Sequence, residues 1–132
     1  MILLDTHVLI WLLYRSRNFG PRTQALLDQG FQAESLVASA ISYWEIGLLQ
    51  RKRRIELDLT ASEFRDTALK LGIDELPLDG ATAIAAASLD LHPDPADRFI
   101  LATAQAQAAI LVTADEQLLA WPGQVNRQDA RL

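Results

Sequence analysis

At 132 residues, half of them apolar and 22% charged, the chain has the make-up of one folded domain, 1–132, able to bury about two-thirds of its unfolded surface. The lack of cysteine excludes a disulfide framework and a thiolate metal site, and two histidines, His7 and His92, are too few for an imidazole-rich one. A net charge of -5 argues against non-specific nucleic-acid binding through a basic surface, but not against an enzyme whose acidic centre is neutralised by cations.

Residues 1–14 are apolar yet carry Asp5, lack a basic leader and are too short to span a bilayer, so a cytoplasmic protein without membrane contact is expected. The run Met1-Ile2-Leu3-Leu4 ahead of Asp5-Thr6 reads as a strand apolar on both faces, as in a buried parallel sheet. Thr6 caps a helix through about Tyr14. Gly20-Pro21 opens a second helix that Gly30 ends. Leu36 to Ala38 is a second strand, followed by a helix from Ser42 to about Gln50.

After the basic run Arg51-Lys52-Arg53-Arg54, the alternation in Ile55 to Leu59 suggests a small strand or extended arm. Thr60 caps a helix that Gly72 stops, and Ile73 to Leu76 is a third strand. An alanine-rich helix over Ala81–Leu91 breaks at His92-Pro93-Asp94-Pro95, and Ala96–Ala108 forms the next one. Ala109–Thr113 is a buried strand, Ala114–Ala120 a short helix and Gln124–Asn126 an edge strand. Strands alternating with helices imply an α/β fold, a three-layer α/β/α sandwich around a mostly parallel sheet.

Ligands bind at the carboxyl ends of the strands in such sheets. Asp5 follows the first strand, Glu45 falls early in the helix after the second, and Asp115 follows the strand that ends at Thr113. Asp97 falls in the first turn behind Asp94-Pro95 and can reach the same rim. Each acid alone also reads as part of a helix cap: Ser42-x-x-Glu45 has the capping-box spacing, Asp94-Pro95-Ala96-Asp97 nearly so, and Asp115 suits an N-cap. Together they are harder to explain by capping. Like charges about 4 Å apart repel by roughly 4 kcal/mol at an effective dielectric near 20, so the cluster would take up protons or hold a divalent cation. Oxygen donors suit Mg²⁺ or Mn²⁺, and such ions serve phosphodiester hydrolysis.

Four segments carry a family resemblance: Leu4-Asp5-Thr6-His7-Val8-Leu9-Ile10-Trp11, Ser39-Ala40-Ile41-Ser42-Tyr43-Trp44-Glu45-Ile46, His92-Pro93-Asp94-Pro95-Ala96-Asp97-Arg98 and Leu111-Val112-Thr113-Ala114-Asp115. In order and spacing the chain resembles the PIN domain, and within it the VapC-type toxins of type II toxin–antitoxin systems. The resemblance implies a Mg²⁺- or Mn²⁺-dependent endoribonuclease with Asp5, Glu45, Asp97 and Asp115 as its acidic quartet. It implies Asp5 and Asp97 as direct metal ligands, with Asp115 and Glu45 completing the shell or orienting the attacking water, Asp115 as a third ligand. Thr6 and Thr113 resemble the hydroxyls that flank such a site. The implied partners are an RNA substrate, a cognate antitoxin and a second copy of the chain.

Two other function classes fit the same rim. A phospho-acceptor signalling domain would also place acids and Mg²⁺ there, but with paired acids after the first strand and a lysine after the last. Here Asp5 stands alone, and the lysines are Lys52 and Lys70. A non-catalytic interaction module of PIN fold is the third. The basic run reads either as a phosphate contact or as a solvated helix end. Arg98 is expected to pair with the acids, His7 and His92 to pack or hydrogen-bond, and Trp11, Tyr14 and Trp44 to belong to the core or to a partner surface.

Overall fold

The computed structural model describes residues 1–132. Five strands, β1 (Ile2–Leu4), β2 (Leu36–Ser39), β3 (Asp74–Leu76), β4 (Ile110–Thr113) and β5 (Asn126–Asp129), form one sheet. All pairings are parallel, in the order β3-β2-β1-β4-β5. The expected α/β sandwich is therefore what the chain adopts. Its central strand is β1, with Leu3 and Leu4 fully buried, consistent with four apolar residues in a row.

The helices are α1 (Thr6–Leu13), α2 (Pro21–Gln32), α3 (Ala40–Arg51), α4 (Ala61–Lys70), α5 (Gly80–Ala87), α6 (Pro95–Gln107) and α7 (Glu116–Ala120). One core gathers Leu4, Val8, Leu27, Ile46, Phe64 and Val112 on the face covered by α1 to α4. The other gathers Leu3, Val37, Ile100, Leu101, Leu111 and Leu118 on the face covered by α6 and α7. Alternate residues of β1 and β4 thus feed opposite layers, as the pleat requires. Burying each leucine is worth roughly 1.5–3 kcal/mol.

Several local expectations are corrected. Gly30 lies inside α2 rather than at its end. A Cβ there would collide with the Leu36 side chain, so its role is close approach of helix to sheet. Gly72, with φ of 89°, does stop α4, and Thr60 with Glu63 forms a full capping box at its start. Ile55, Leu57 and Leu59 alternate because one side packs on the core, but they form no strand. The segment is held instead by Gln50 Nε2 donating to Leu59 O at 2.7 Å and Tyr14 Oη donating to Asp58 at 2.6 Å.

Helix α5 stops at Ala87, short of Leu91, where the Arg98 guanidinium takes the carbonyl of Ala86 in its last turn and those of Leu89 and Leu91 beyond it. Strand β5 begins at Asn126, later than expected, where Asn126 comes level with Ile110 of β4. No helix is long and apolar enough to cross a membrane.

Candidate active site

The carboxyl ends of the parallel strands share one rim, and each acidic side chain reaches it from an element that starts there. Asp5 follows β1 and is the N-cap of α1, with Oδ1 accepting from Thr6 N at 2.7 Å. Its Oδ2 accepts from Thr113 Oγ1 at 2.6 Å, so the neighbouring strand β4 holds the second oxygen. Only 5% exposed, Asp5 has its pKa raised, chiefly by burial; the Thr113 and Thr6 hydrogen bonds oppose the shift.

Asp115 follows β4 and caps α7, with Oδ1 accepting from Gln117 N at 2.8 Å and Leu118 N at 3.1 Å. A cavity of about 230 Å³ opens beside it, lined by Asp5, His7, Trp11, Ala114 and Asp115. A larger groove of about 550 Å³ lies at the opposite rim, where β4 and β5 begin, and contains none of the four acids.

Helix α3 begins earlier than the spacing suggested. Its N-cap is Ser39, whose Oγ accepts from Ile41 N at 3.2 Å, and Ser42 makes no capping box with Glu45. Buried Ser42 Oγ instead accepts from Thr6 Oγ1 at 2.9 Å, tying α3 to α1 under the site. Glu45 therefore sits in the second turn of α3. Burial is the main cause raising its pKa, with Asp5 and Asp94 adding to it and Thr6 opposing.

Asp97 is the third residue of α6, after the N-cap Asp94 and Pro95. Asp94 Oδ1 accepts from Ala96 N at 3.0 Å and Asp97 N at 3.4 Å. In a capping box the third-position acid would return to the N-cap's own N–H. Here His92 Nδ1 accepts that hydrogen at 3.3 Å, which leaves the Asp97 carboxylate to face the rim. His92 Nε2 lies 3.1 Å from Asp97 Oδ2, out of line for a hydrogen bond, and is a buried atom with no other partner.

Burial first, and then Asp5, Asp94, Asp115 and Glu45, push the Asp97 pKa up to about 8. Sequence reasoning brought the four acids to one rim, and all three others act on Asp97. It read Asp94 only as a cap and missed its charge at the site. His92 was expected to hydrogen-bond, but its acceptor role follows from the loop geometry and carries no spacing signal.

Arg98 is corrected outright. Its guanidinium donates to the carbonyls of Ala86, Leu89, Leu91 and His92, so it builds the loop and pairs with no acid. Trp44 and Tyr14 are 48% and 41% exposed rather than core, while Trp11 is partly buried against Phe19. Lys52 and Lys70 close α3 and α4, at the ends remote from the rim.

As they stand, no three acidic or imidazole groups are disposed to coordinate one ion together. The donor chemistry still fits a hard divalent cation. The charges acting most strongly on Asp97 are all negative, and neither oxygen of Asp97 nor the second oxygen of Asp115 accepts a hydrogen bond from the protein. A cation would remove the repulsion that now favours protons.

Comparison with known proteins agrees with this architecture. The family model described as PIN domain matches residues 2–122. Ribonuclease VapC22 of Mycobacterium tuberculosis (strain ATCC 25618 / H37Rv) is 31% identical over 121 residues, covering 89% of this chain and 88% of its own length. Among solved structures, that of FitAB bound to an IR36 DNA fragment superposes with a TM-score of 0.64 at 25% identity, covering 100% of this chain and 96% of that one. A toxin–antitoxin complex from Klebsiella pneumoniae gives a TM-score of 0.60 at 23% identity, covering 96% and 97%.

Proposed function

The chain belongs to the PIN domain family, and from that premise we propose that it is a Mg²⁺- or Mn²⁺-dependent endoribonuclease, the toxin of a toxin–antitoxin pair. The observation that carries the reading is the convergence on Asp97. A buried carboxyl is pushed up to about 8 by burial and then by four other acids, a concentration of negative charge that protons or a bound cation must relieve. The similarity to a protein named ribonuclease VapC22, at 31% identity over 89% of the chain, supports RNA as substrate. The likeness in fold to a toxin–antitoxin complex from Klebsiella pneumoniae supports an antitoxin as the partner in this reading.

In this reading Asp5, Asp97 and Asp115 would hold the ion, and Glu45 would complete the shell or orient the attacking water. A divalent cation there supplies Lewis acidity and charge neutralisation at a phosphodiester. The chain's own contribution is orientation. Thr113 and the Thr6 amide fix both oxygens of Asp5, and the first turn of α7 fixes one oxygen of Asp115. Without cations the rim repels the RNA backbone, so cleavage requires them.

The test is incubation of a panel of structured RNAs with Mg²⁺, Mn²⁺ or chelator. Cleavage that needs the ion and is lost in Asp97→Asn is expected. Cleavage at the wild-type rate in that variant would remove the proposal.

A further inference from the structure

Helix α3 carries a feature that the acidic rim does not use. Trp44, next to Glu45, is 48% exposed, although a tryptophan in mid-helix normally packs inward. With Tyr43, Gly47, Leu48 and Arg51 it lines an open cleft of about 320 Å³ on the outer face of the helix. Trp44, Leu48 and Arg51 recur at helical spacing, so they form one stripe. The stripe runs from the rim, where α3 starts, toward Arg51-Lys52-Arg53-Arg54 about 9 Å along the axis from Glu45. These four residues are a third of the chain's 12 cations, all are exposed, and none is paired with an acid.

Gly47 adds a separate observation. A Cβ there would meet only Ala61 Cβ at 3.8 Å, an ordinary contact, so packing does not require glycine. Glycine inside a helix costs about 0.5–1 kcal/mol relative to alanine. The missing side chain leaves the cleft open beside Trp44.

We propose that the outer face of α3 is a binding track for single-stranded RNA: Trp44 stacks an unpaired base beside the acidic rim, Gly47 leaves room for the nucleotide, and Arg51 with the basic run takes the phosphates that follow. The assignment rests on the nuclease reading and deepens it by naming unpaired RNA as what enters the site. Charge complementarity selects the occupant. An acidic chain that must hold RNA has its densest cationic stretch here, and stacking on an exposed aromatic suits any unstacked base. Duplex RNA keeps its bases stacked and offers Trp44 nothing.

The experiment measures binding of a labelled single-stranded oligoribonucleotide, and of the same sequence as a duplex, by fluorescence anisotropy with Mg²⁺. The full chain is used in an Asp97→Asn background so that the RNA survives. Adding Trp44→Ala should weaken single-strand binding roughly 5- to 150-fold, Trp44→Phe should restore most of it, and the duplex should bind more weakly throughout. Gly47→Ala should raise the melting temperature yet weaken binding, which separates cleft filling from misfolding.

Binding by Trp44→Ala within twofold of its parent, or absence of binding in the parent itself, would overturn the track. So would a Trp44→Ala chain that keeps RNA but loses a protein partner, which would assign the face to protein. An Asp97→Asn parent that still cleaves would instead condemn the nuclease reading, so the two failures are distinguishable.

Discussion

In the ion-free protein the Asp97 carboxyl favours folding while it is protonated, because its pKa stands at about 8 in the fold against 3.8 for the free group. That contribution is complete below about pH 4 and is lost as pH rises through about 8. With chelator present, the melting temperature should therefore fall across this window, and Asp97→Asn should flatten the fall while lowering cleavage by at least about 100-fold. Equal slopes for the two proteins would show that Asp97 does not carry the titration. His92 gives a complementary prediction. Without the Nδ1 acceptor, the Asp94 N–H is free to recruit Asp97 into an ordinary capping box. His92→Ala should thus fold with little change in melting temperature but cleave roughly 10- to 100-fold more slowly. An unchanged rate would mean that Asp97 keeps its aim without the imidazole.

Among the elements, the helices differ in how plainly the sequence announced them. Thr60 with Glu63 and Asp94 with Pro95 are local signals, and both open helices as expected. The sequence places the start of α3 at Ser42, but the cap is Ser39, and Ser42 is instead occupied by Thr6, 36 residues away. No local pattern carries that information. From sequence Trp44 fits either core or partner surface for a related reason: composition says that tryptophan packs, and only the rotation of α3 against its neighbours turns it to water.

Arg98 could not be read either, since its partners are carbonyls of an irregular turn and any side-chain type can supply a carbonyl. It also makes the turn vulnerable. Arg98→Lys replaces a fork of donors by a single ammonium and strands several carbonyls, which should cost roughly 2–3 kcal/mol in denaturant titration. Gly30→Ala, whose Cβ would press on Leu36 and Ile2, should cost about 1–3 kcal/mol. A loss under 0.5 kcal/mol would show that α2 can shift outward.

For the whole molecule, the parallel sheet is what made the acidic rim legible. With β1 central and every strand running the same way, residues that follow Leu4, Ser39 and Thr113 emerge at one edge. A cation that binds only the folded chain should stabilise it by about 2.7 kcal/mol at one hundred times its dissociation constant. Mn²⁺ titration should therefore raise the melting temperature of the wild type, most strongly above about pH 8, where the Asp97 proton no longer competes, and not that of Asp97→Asn. A flat titration of the wild type would argue that no ion is held.

The rim is unevenly restrained. Asp5 has both oxygens fastened, one by its own helix and one by Thr113, whereas Asp97 is steadied only by an imidazole set off the line of contact. The pocket thus behaves as a vice with one jaw cast into the sheet and the other mounted on the first turn of α6. Differences in ionic radius should be absorbed on the movable side. Exchanging a small divalent ion for a large one should shift the amide resonances of 92–98 and leave those of 4–6 nearly still.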